Sequence, residues 1–365
     1  MSKTKHHYVP RFYLKWFASK PRRINVYALE SQRFLKDVSL KDQCQRPRFY
    51  GKADDVEDDL MKLETIVSPA LREIVEDSKL PDIGSMQHTH VLLFAAFQLS
   101  RTPMAATAMS EGFNKMIDLV NPKVGKGRKE LEEQRMKFDF AVQESLRNSA
   151  LVAEYWADLE IHLLVNSCDQ GFLTSDNPVV LYNKYCEGLK GFGTTGAVKR
   201  GLQVFLPLSP RHLILFYDKH VYKVGVKNSR TTEVSSFNDL RSINQLQTVN
   251  ADQVLLFSNW TDVEAITKLI NRGKKYRRPE VSEVEEFLAE DDPERESLLK
   301  LYPVPLDVKL DLSFMQLRRK AQAVPRRQRA LEYRNRSNPI EQYRPGSGRQ
   351  AGSKRFVRKD LLPRE

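Results

Sequence analysis

Two adjacent histidines are the most unusual pair of chemistry-bearing residues in the sequence. His6 and His7 are followed at once by an aromatic block that contains Phe12 and Trp16. Burial of these rings anchors the histidines beside a core, where an imidazole can transfer protons near neutral pH or bind a metal in its neutral form. Histidines that only add solubility are the alternative interpretation.

Carboxylate, amide and guanidinium groups recur at helical spacings further along. Glu57 and Glu64 are seven residues apart, which on a helix places them on nearly the same face, roughly 10.5 Å apart. Gln98 and Arg101 are three residues apart and share a face of the next predicted helix. The glutamates are candidate metal ligands, and Gln98 and Arg101 are candidate substrate contacts. An exposed acidic helix start and a helix-capping arginine are the alternatives.

A polar string joins two predicted strands at Ser175-Asp176-Asn177-Pro178. Asp and Asn before proline favour a turn, because their side chains bond to their own backbone. The functional alternative places Asp176 opposite the histidines, as a metal ligand, a base or a group that orients imidazole. In that case Asn177 contacts the substrate.

Together these residue types predict phosphodiester chemistry by one of two routes. In the first, carboxylate and imidazole groups hold a divalent metal, Mg²⁺ or Mn²⁺, with Glu57, Glu64 and Asp176 as the candidate carboxylate ligands. In the second, His6 and His7 act as acid and base while Arg101 stabilises the charged transition state, and no metal is needed. The sequence does not choose between these routes.

At these same residues the sequence resembles a family of unknown function defined by an N-terminal His-His-Tyr-Val-Pro motif. The resemblance rests on the strings HHYVPRFYLKWFA, FYGK, DDVEDDLMKLE, FQLSRTP, GFLTSDNPVV and FLPLSP. It covers roughly residues 5–270 and leaves out the basic tail. It implies a shared domain and indicates which polar residues belong together, but it implies no reaction.

Hydrophobic periodicity predicts an α+β protein, with a helical N-terminal half packed with a mostly antiparallel sheet. Helices are predicted over 53–78, 84–102 and 126–156, with Pro103 ending the second, and a further helix over 234–249. Strands are predicted at 24–29, 161–168, 171–175, 179–182, 202–208, 212–217 and 252–258. Residues 1–312 are predicted to form one domain, helical over 53–158 and strand-rich over 160–270. The acidic stretch 280–296 is predicted to be a solvated helix.

The net charge of +12 comes almost entirely from the tail. Residues 318–365 hold 15 basic and 4 acidic side chains, whereas the first 317 residues hold 44 and 43. Residues 313–365 are therefore predicted to be a basic, disordered arm. Arg326, Arg327 and Arg329 would bind nucleic-acid phosphates within it; a solvated tail with no function is the alternative.

Several classes of protein are excluded by what the sequence lacks. The longest apolar run is about seven residues, far short of the ~20 that span a membrane, and no secretory signal peptide is expected. Cys44, Cys168 and Cys186 lie far apart, which favours a reducing cytoplasm. GxSxG, HExxH and paired CxxC motifs do not occur.

These observations predict a cytoplasmic nuclease, with RNA favoured over duplex DNA, acting as a toxin-like or phage-defence effector. The alternative is a non-enzymatic module that binds nucleic acid or protein through its basic tail, with the HHYVP segment as a plug in the core. A third interpretation keeps the site but takes a small nucleotide as substrate, and pocket size would decide it.

Overall fold

Helices dominate the chain between residues 55 and 156, where apolar side chains recur at steps of three and four. The computed structural model describes residues 5–51, 55–120, 128–189, 193–289, 297–322 and 356–358. Its helices are α1 (Arg11–Leu14), α2 (Asp55–Asp77), α3 (Met86–Ser100), α4 (Pro103–Val120), α5 (Arg128–Glu133), α6 (Phe138–Arg147), α7 (Ser149–Trp156), α8 (Phe237–Asn250), α9 (Val263–Gly273) and α10 (Arg319–Gln322).

Strands flank this helical part and follow it. They are β1 (Lys5–His7), β2 (Arg23–Ala28), β3 (Arg33–Ser39), β4 (Gln45–Pro47), β5 (Glu160–Asn166), β6 (Thr174–Ser175), β7 (Val180–Tyr182), β8 (Gln203–Pro207), β9 (His212–Tyr217), β10 (Tyr222–Val224), β11 (Thr231–Val234), β12 (Val254–Phe257), β13 (Ser282–Ala289), β14 (Ser297–Pro303), β15 (Met315–Leu317) and β16 (Phe356–Arg358).

The described strands form one central sheet and four smaller ones. The central sheet has the order β11-β5-β9-β8-β7, and a second sheet has the order β3-β2-β12-β6. β1 pairs with β4, β10 with β15, and β13 lies between β14 and β16. Only the β11–β5 pair is parallel among these strands, so the predicted α+β class with a mostly antiparallel sheet is confirmed.

The central sheet is buried on both faces. Ile214 and Phe216 of β9 pack against α2, α3 and α7, whereas Leu213 and Leu215 point to the other face and pack with α8 and residues 306–312. This alternation is the period of two expected of a strand. A third apolar cluster joins β12 to α9, so helices cover both faces of the strand-rich half.

Pro103 has a different role from the predicted one. It ends α3 as expected, but it is also the first residue of α4, where a missing backbone N–H costs nothing. The Thr102 hydroxyl caps this helix by accepting from the Ala105 amide at 3.2 Å. α4 was therefore absent from the prediction because a start signal was interpreted only as a stop.

The C-terminal predictions also need correction. The described part of the acidic stretch 280–296 is the strand β13, not a helix, and it pairs with β14 over seven positions. The folded body extends past residue 312, because β15 pairs with β10 and α10 follows it. Residues 323–355 and 359–365 of the predicted arm, with Arg326, Arg327 and Arg329, lie outside the described residues.

Within the described ranges, no helix is both long and apolar enough to cross a bilayer. All three cysteines are free thiols, and Cys44 and Cys186 are buried.

Candidate functional site

The first of the two histidines lies inside the protein. β1 pairs with β4 so that His6 is opposite Arg46, and the His6 side chain has an exposed fraction of 0%. Its Nδ1 accepts a hydrogen bond from the Tyr50 backbone amide at 3.2 Å, and the two rings stack with centroids 5.6 Å apart. Because Nδ1 accepts this bond, the neutral ring carries its proton on Nε2.

Arg101, at the C-terminal end of α3, is the centre of a buried network. Its side chain is 3% exposed, and its three nitrogens donate to three different groups. Nη1 donates to Glu64 Oε1 at 2.8 Å, Nε to the Tyr50 hydroxyl at 3.1 Å, and Nη2 to the His7 carbonyl at 2.7 Å. Burial alone would lower the pKa of Arg101, but Tyr50 and Glu64 outweigh it and the pKa is raised. We call these four residues the Arg101 network.

His7 is the more accessible histidine, with a partly buried side chain. Burial, followed by the charge of Arg11, lowers the pKa of His7 to about 4. The imidazole is therefore neutral at pH 7, which is the form that accepts a proton and not the form that donates one. The His7 carbonyl also accepts a hydrogen bond from the Tyr50 hydroxyl at 3.2 Å.

Gln98 and Glu57 lie beside this network. The Gln98 amide donates from Nε2 to the Tyr8 carbonyl at 3.0 Å and is buried. Glu57 is buried in the first turns of α2, and its charge contributes to the raised pKa of Tyr50, which burial brings to about 12. The predicted group of Gln98, Arg101 and Glu64 is thus brought together, but it surrounds backbone atoms of the HHYVP segment.

Asp176 is held by a different part of the chain. Its Oδ1 accepts from the Asp252 amide at 3.0 Å and its Oδ2 from the Gln253 amide at 2.7 Å, and the side chain is 1% exposed. Burial, followed by the charge of Asp252, raises the pKa of Asp176 to about 7. The carboxylate connects the loop after β6 to the turn between α8 and β12 through these two backbone amides, a structural role in keeping with the turn-stabilising alternative stated for the sequence.

Asn177 connects that loop to two helices. Its Oδ1 accepts from the Thr102 hydroxyl at 3.2 Å, and its Nδ2 donates to the Asn250 carbonyl at 3.1 Å. Its own carbonyl accepts from Asn250 Nδ2 at 2.8 Å. Asn177, a predicted substrate-binding residue, also lines a cavity of about 310 Å³ beside α4.

A comparison with known families decides where the chain belongs. The family described as a protein of unknown function, DUF4238, matches residues 5–261, which is more than half of the 365 residues. The chain belongs to this family. The match confirms the resemblance found from the sequence motifs, and it assigns no activity. No curated protein and no solved structure matches the chain.

The DUF4238 region does not assemble the predicted metal ligands. Glu64 is paired with Arg101, Asp176 bonds to two backbone amides, and Glu57 lies in an earlier turn of α2 than Glu64. Among the described residues, no three His, Cys, Asp or Glu side chains are placed to hold a metal ion. A role for Mg²⁺ or Mn²⁺ stays a prediction.

A second concave surface lies at the edge of the DUF4238 region, between the start of α8 and α9. We call it the α8–α9 groove; its volume is about 350 Å³. Phe237 lines it with 49% of its side chain exposed, together with the basic residues Arg241, Lys268 and Arg272. Lys268 is paired with Glu264 at 2.6 Å. Net positive charge and an exposed aromatic ring therefore meet on one surface.

Sequence reasoning missed several residues of these sites. Tyr50 lies in the FYGK string, but no spacing in the sequence connects it to Arg101. Gln247 and Asn250, which bond to the 175–177 loop, belong to the polar run NQLQTVN inside a buried helix, and that run was an available signal. Nothing in the sequence pointed to Arg278, Ser282 or Tyr302, which line the cavity beside α4.

Proposed function

We propose that this DUF4238 protein is a non-enzymatic module that binds single-stranded nucleic acid. The observation that carries the proposal is the α8–α9 groove, where Phe237 is exposed among Arg241, Lys268 and Arg272. Binding of phosphates releases the counterions around them, and aromatic rings stack on unpaired bases of any sequence. The groove offers both kinds of contact.

Charge next to the groove supports the same conclusion. From Lys268 to Arg278 the chain has six basic residues and no acidic one, and Lys274 and Lys275 directly after α9 are exposed. The basic arm adds 15 basic side chains against 4 acidic ones over residues 318–365. We propose that this arm is an electrostatic tether for the same ligand.

The burial of the predicted catalytic groups favours a binding module over an enzyme. His6, Arg101 and Asp176 are each at least 97% buried, and the hydrogen-bond partners described above for all three lie within the protein. Groups with internal partners stabilise the fold, and a substrate would have to displace those partners to reach them. This burial supports the interpretation of the HHYVP segment as a plug in the core.

The test measures fluorescence anisotropy of a labelled single-stranded RNA across a series of salt concentrations. The Phe237→Ala variant should lower the affinity about 5- to 150-fold, since stacking contributes ~1–3 kcal/mol per base, with an unchanged salt slope. A double variant with Lys268→Gln and Arg272→Gln should lower the slope of log K against log salt by about 1.4. Lys62→Gln, an exposed paired lysine on α2 across the central sheet, is the matched control.

The tail is tested separately. Replacing Arg326, Arg327 and Arg329 by glutamine should lower the same slope by about 2, while the effect of Phe237→Ala persists. If all groove variants bind as the parent does, the groove is not the binding surface. If the parent shows no salt-dependent binding of RNA or DNA, the function proposed here is wrong.

A second candidate function is RNA cleavage, which the position of His7 favours. His7 is partly exposed, its imidazole is neutral at pH 7, and the guanidinium of Arg11 lies close enough to lower its pKa. A neutral imidazole beside a cation is suited to take a proton from a ribose hydroxyl while the cation binds the phosphate. A toxin-like or phage-defence role would follow from such an activity.

Cleavage is assayed with labelled single-stranded RNA, tRNA and DNA, in Mg²⁺, in Mn²⁺ and in EDTA. The enzyme interpretation requires that His7→Gln abolish cleavage while the free energy of unfolding stays within about 1 kcal/mol of the parent. EDTA sensitivity would separate the metal route from the imidazole route. Absence of cleavage by the parent on all three substrates would refute the enzyme interpretation.

A further inference from the structure

The cavity beside α4 lies between the DUF4238 region and the segment that follows it. α3, α4 and the 175–177 loop form one wall, and residues 278–305, which include β13 and β14, form the other. Its volume of about 310 Å³ is at the lower end of the range for small-molecule sites, ~300–1,000 Å³. The family match ends at residue 261, so 8 of the 21 residues that line this cavity lie outside it.

Most of the cavity surface is apolar. The side chains that form it include Leu99, Met104, Ala105, Ala108, Val179 and Leu301. Ala105 and Ala108 of α4 have small side chains, so they leave the cavity open. Met104 has a flexible side chain that adapts to the shape of a guest. An apolar chain or ring of modest size therefore fits the body of the cavity.

Two residues that line the same cavity carry buried hydroxyl groups without partners among the described residues. The Ser282 and Tyr302 side chains are 1% and 8% exposed, and neither Ser282 Oγ nor the Tyr302 hydroxyl has a hydrogen-bond partner among the described residues. A buried hydroxyl that bonds to nothing is unfavourable, and native proteins contain few such groups. Both hydroxyls are consequently available to donate to a guest.

A guanidinium group lines the same cavity as Ser282 and Tyr302. Arg278 lines the cavity, donates from Nη1 to the Val304 carbonyl, and reaches Asn250 Oδ1 from Nη2 at 3.5 Å. No carboxylate pairs with Arg278 within the described ranges, and its five N–H donors exceed these two contacts. Burial, followed by the charge of Arg277, lowers the pKa of Arg278 to about 10, so the group remains charged at neutral pH.

We propose that this cavity binds a small monocarboxylate with an apolar body, such as a medium-chain fatty acid. Arg278 pairs with the carboxylate, Ser282 and Tyr302 donate to it, and the wall formed by α3 and α4 covers the chain. One negative charge matches the single cation in the lining, whereas a phosphate would carry up to two. A planar carboxylate also fits the two-pronged guanidinium. The site uses none of the residues of the α8–α9 groove.

The test is calorimetric titration of the full chain with octanoate and, separately, with octan-1-ol. We expect the parent to bind octanoate more tightly than the alcohol. Arg278→Gln should lower octanoate affinity about 10- to 150-fold, the range for hydrogen bonds to a charged group, and leave the affinity for octan-1-ol within about twofold. Arg277→Gln, the neighbouring arginine that does not line the cavity, is the matched control.

Two further variants keep the proposal testable if Arg278→Gln folds poorly. Tyr302→Phe should weaken octanoate binding without lowering the stability of the free protein, because the hydroxyl has no internal partner to lose. Ala108→Phe fills the cavity and should abolish binding of both probes. Equal binding of octanoate and octan-1-ol, octanoate binding unchanged in Ala108→Phe, or tighter binding of octyl phosphate would each overturn the proposal.

Discussion

Replacing Arg101 by methionine tests whether the Arg101 network holds the HHYVP segment in place. Methionine retains much of the apolar stem of arginine but none of its donors. Glu64 loses the partner of its carboxylate, and the His7 carbonyl and the Tyr50 hydroxyl each lose one hydrogen bond. The variant therefore removes three interactions from one buried position.

The expected cost follows from these contacts. Removing one partner of a buried ion pair costs about 3–5 kcal/mol. The Glu64 side chain is 23% exposed, so water solvates part of its charge and the lower end of that range applies. The two further lost hydrogen bonds add about 1 kcal/mol together, since Tyr50 and His7 retain other contacts. We expect the free energy of unfolding to fall by about 4 kcal/mol, a large share of the ~5–15 kcal/mol of a native protein.

Urea denaturation followed by tryptophan fluorescence and far-UV circular dichroism measures this change. Glu64→Gln retains an acceptor but leaves the Arg101 guanidinium, which is 3% exposed, without a counter-charge, so it should cost about 3 kcal/mol. Arg101→Lys, which retains the charge without the planar fork, should cost less than Arg101→Met. An unfolding free energy for Arg101→Met within about 1 kcal/mol of the parent would refute the structural role and restore Arg101 as a candidate for substrate contact.

Three further predictions test other parts of the fold. The pKa of Asp176 is raised from 3.8 in the unfolded chain to about 7 in the folded protein. Between these values the folded protein binds a proton that the unfolded chain has released. The stability that this proton contributes is therefore present at low pH and is lost as pH rises through about 7. The unfolding free energy of the parent minus that of Asp176→Asn should thus fall by about 1.4 kcal/mol per pH unit between pH 3.8 and about 7, the unfolded and folded pKa values, and stay level above that. Gly201 has φ +79°, and an added Cβ would lie 2.8 Å from Tyr185 Cβ, so Gly201→Ala should cost about 1–3 kcal/mol. Tyr13→Phe removes the 2.6 Å hydrogen bond to the buried Pro207 carbonyl and should cost about 1–3 kcal/mol. Urea denaturation measures all three, the first as a pH series.

Each of these predictions can fail in its own way. If the difference in unfolding free energy between the parent and Asp176→Asn does not change with pH, the Asp176 carboxylate is ionised in the folded protein over the whole pH series. A Gly201→Ala variant as stable as the parent would show that the loop moves aside at little cost. A Tyr13→Phe variant with the same unfolding free energy as the parent would mean that water reaches the carbonyl of Pro207.

Local patterns predicted the elements whose signals lie within one segment. The apolar spacing from Val56 to Val75 gave α2 to within two residues at its start and one at its end, because an amphipathic helix repeats every 3.6 residues whatever it packs against. β13 shows the opposite case. Its acidic sequence favours a solvated helix, but β14 supplies a paired strand and an apolar contact for Phe287, so tertiary pairing overrode local preference.

The candidate site was less predictable because its contacts join distant parts of the chain. Spacing indicated that Gln98 and Arg101 share a face of one helix, but it did not show that both donate to backbone carbonyls. Arg101 meets Glu64 across 37 positions, and Asp176 meets the Gln253 amide across 77. Such distances require the packing of helices and sheets, which no pattern within a segment encodes.

The way in which β1 is held has a consequence for synthesis on the ribosome. Its anchors are the side chains of Gln98 and Arg101, which donate to the carbonyls of Tyr8 and His7. These donors are translated 90 and 94 residues after their acceptors, which at about 5–20 residues per second is a delay of roughly 5–20 seconds. The aromatic block beginning at Phe12 is made during that interval without its final partners, so it is the part of the nascent chain that a chaperone would need to shield first.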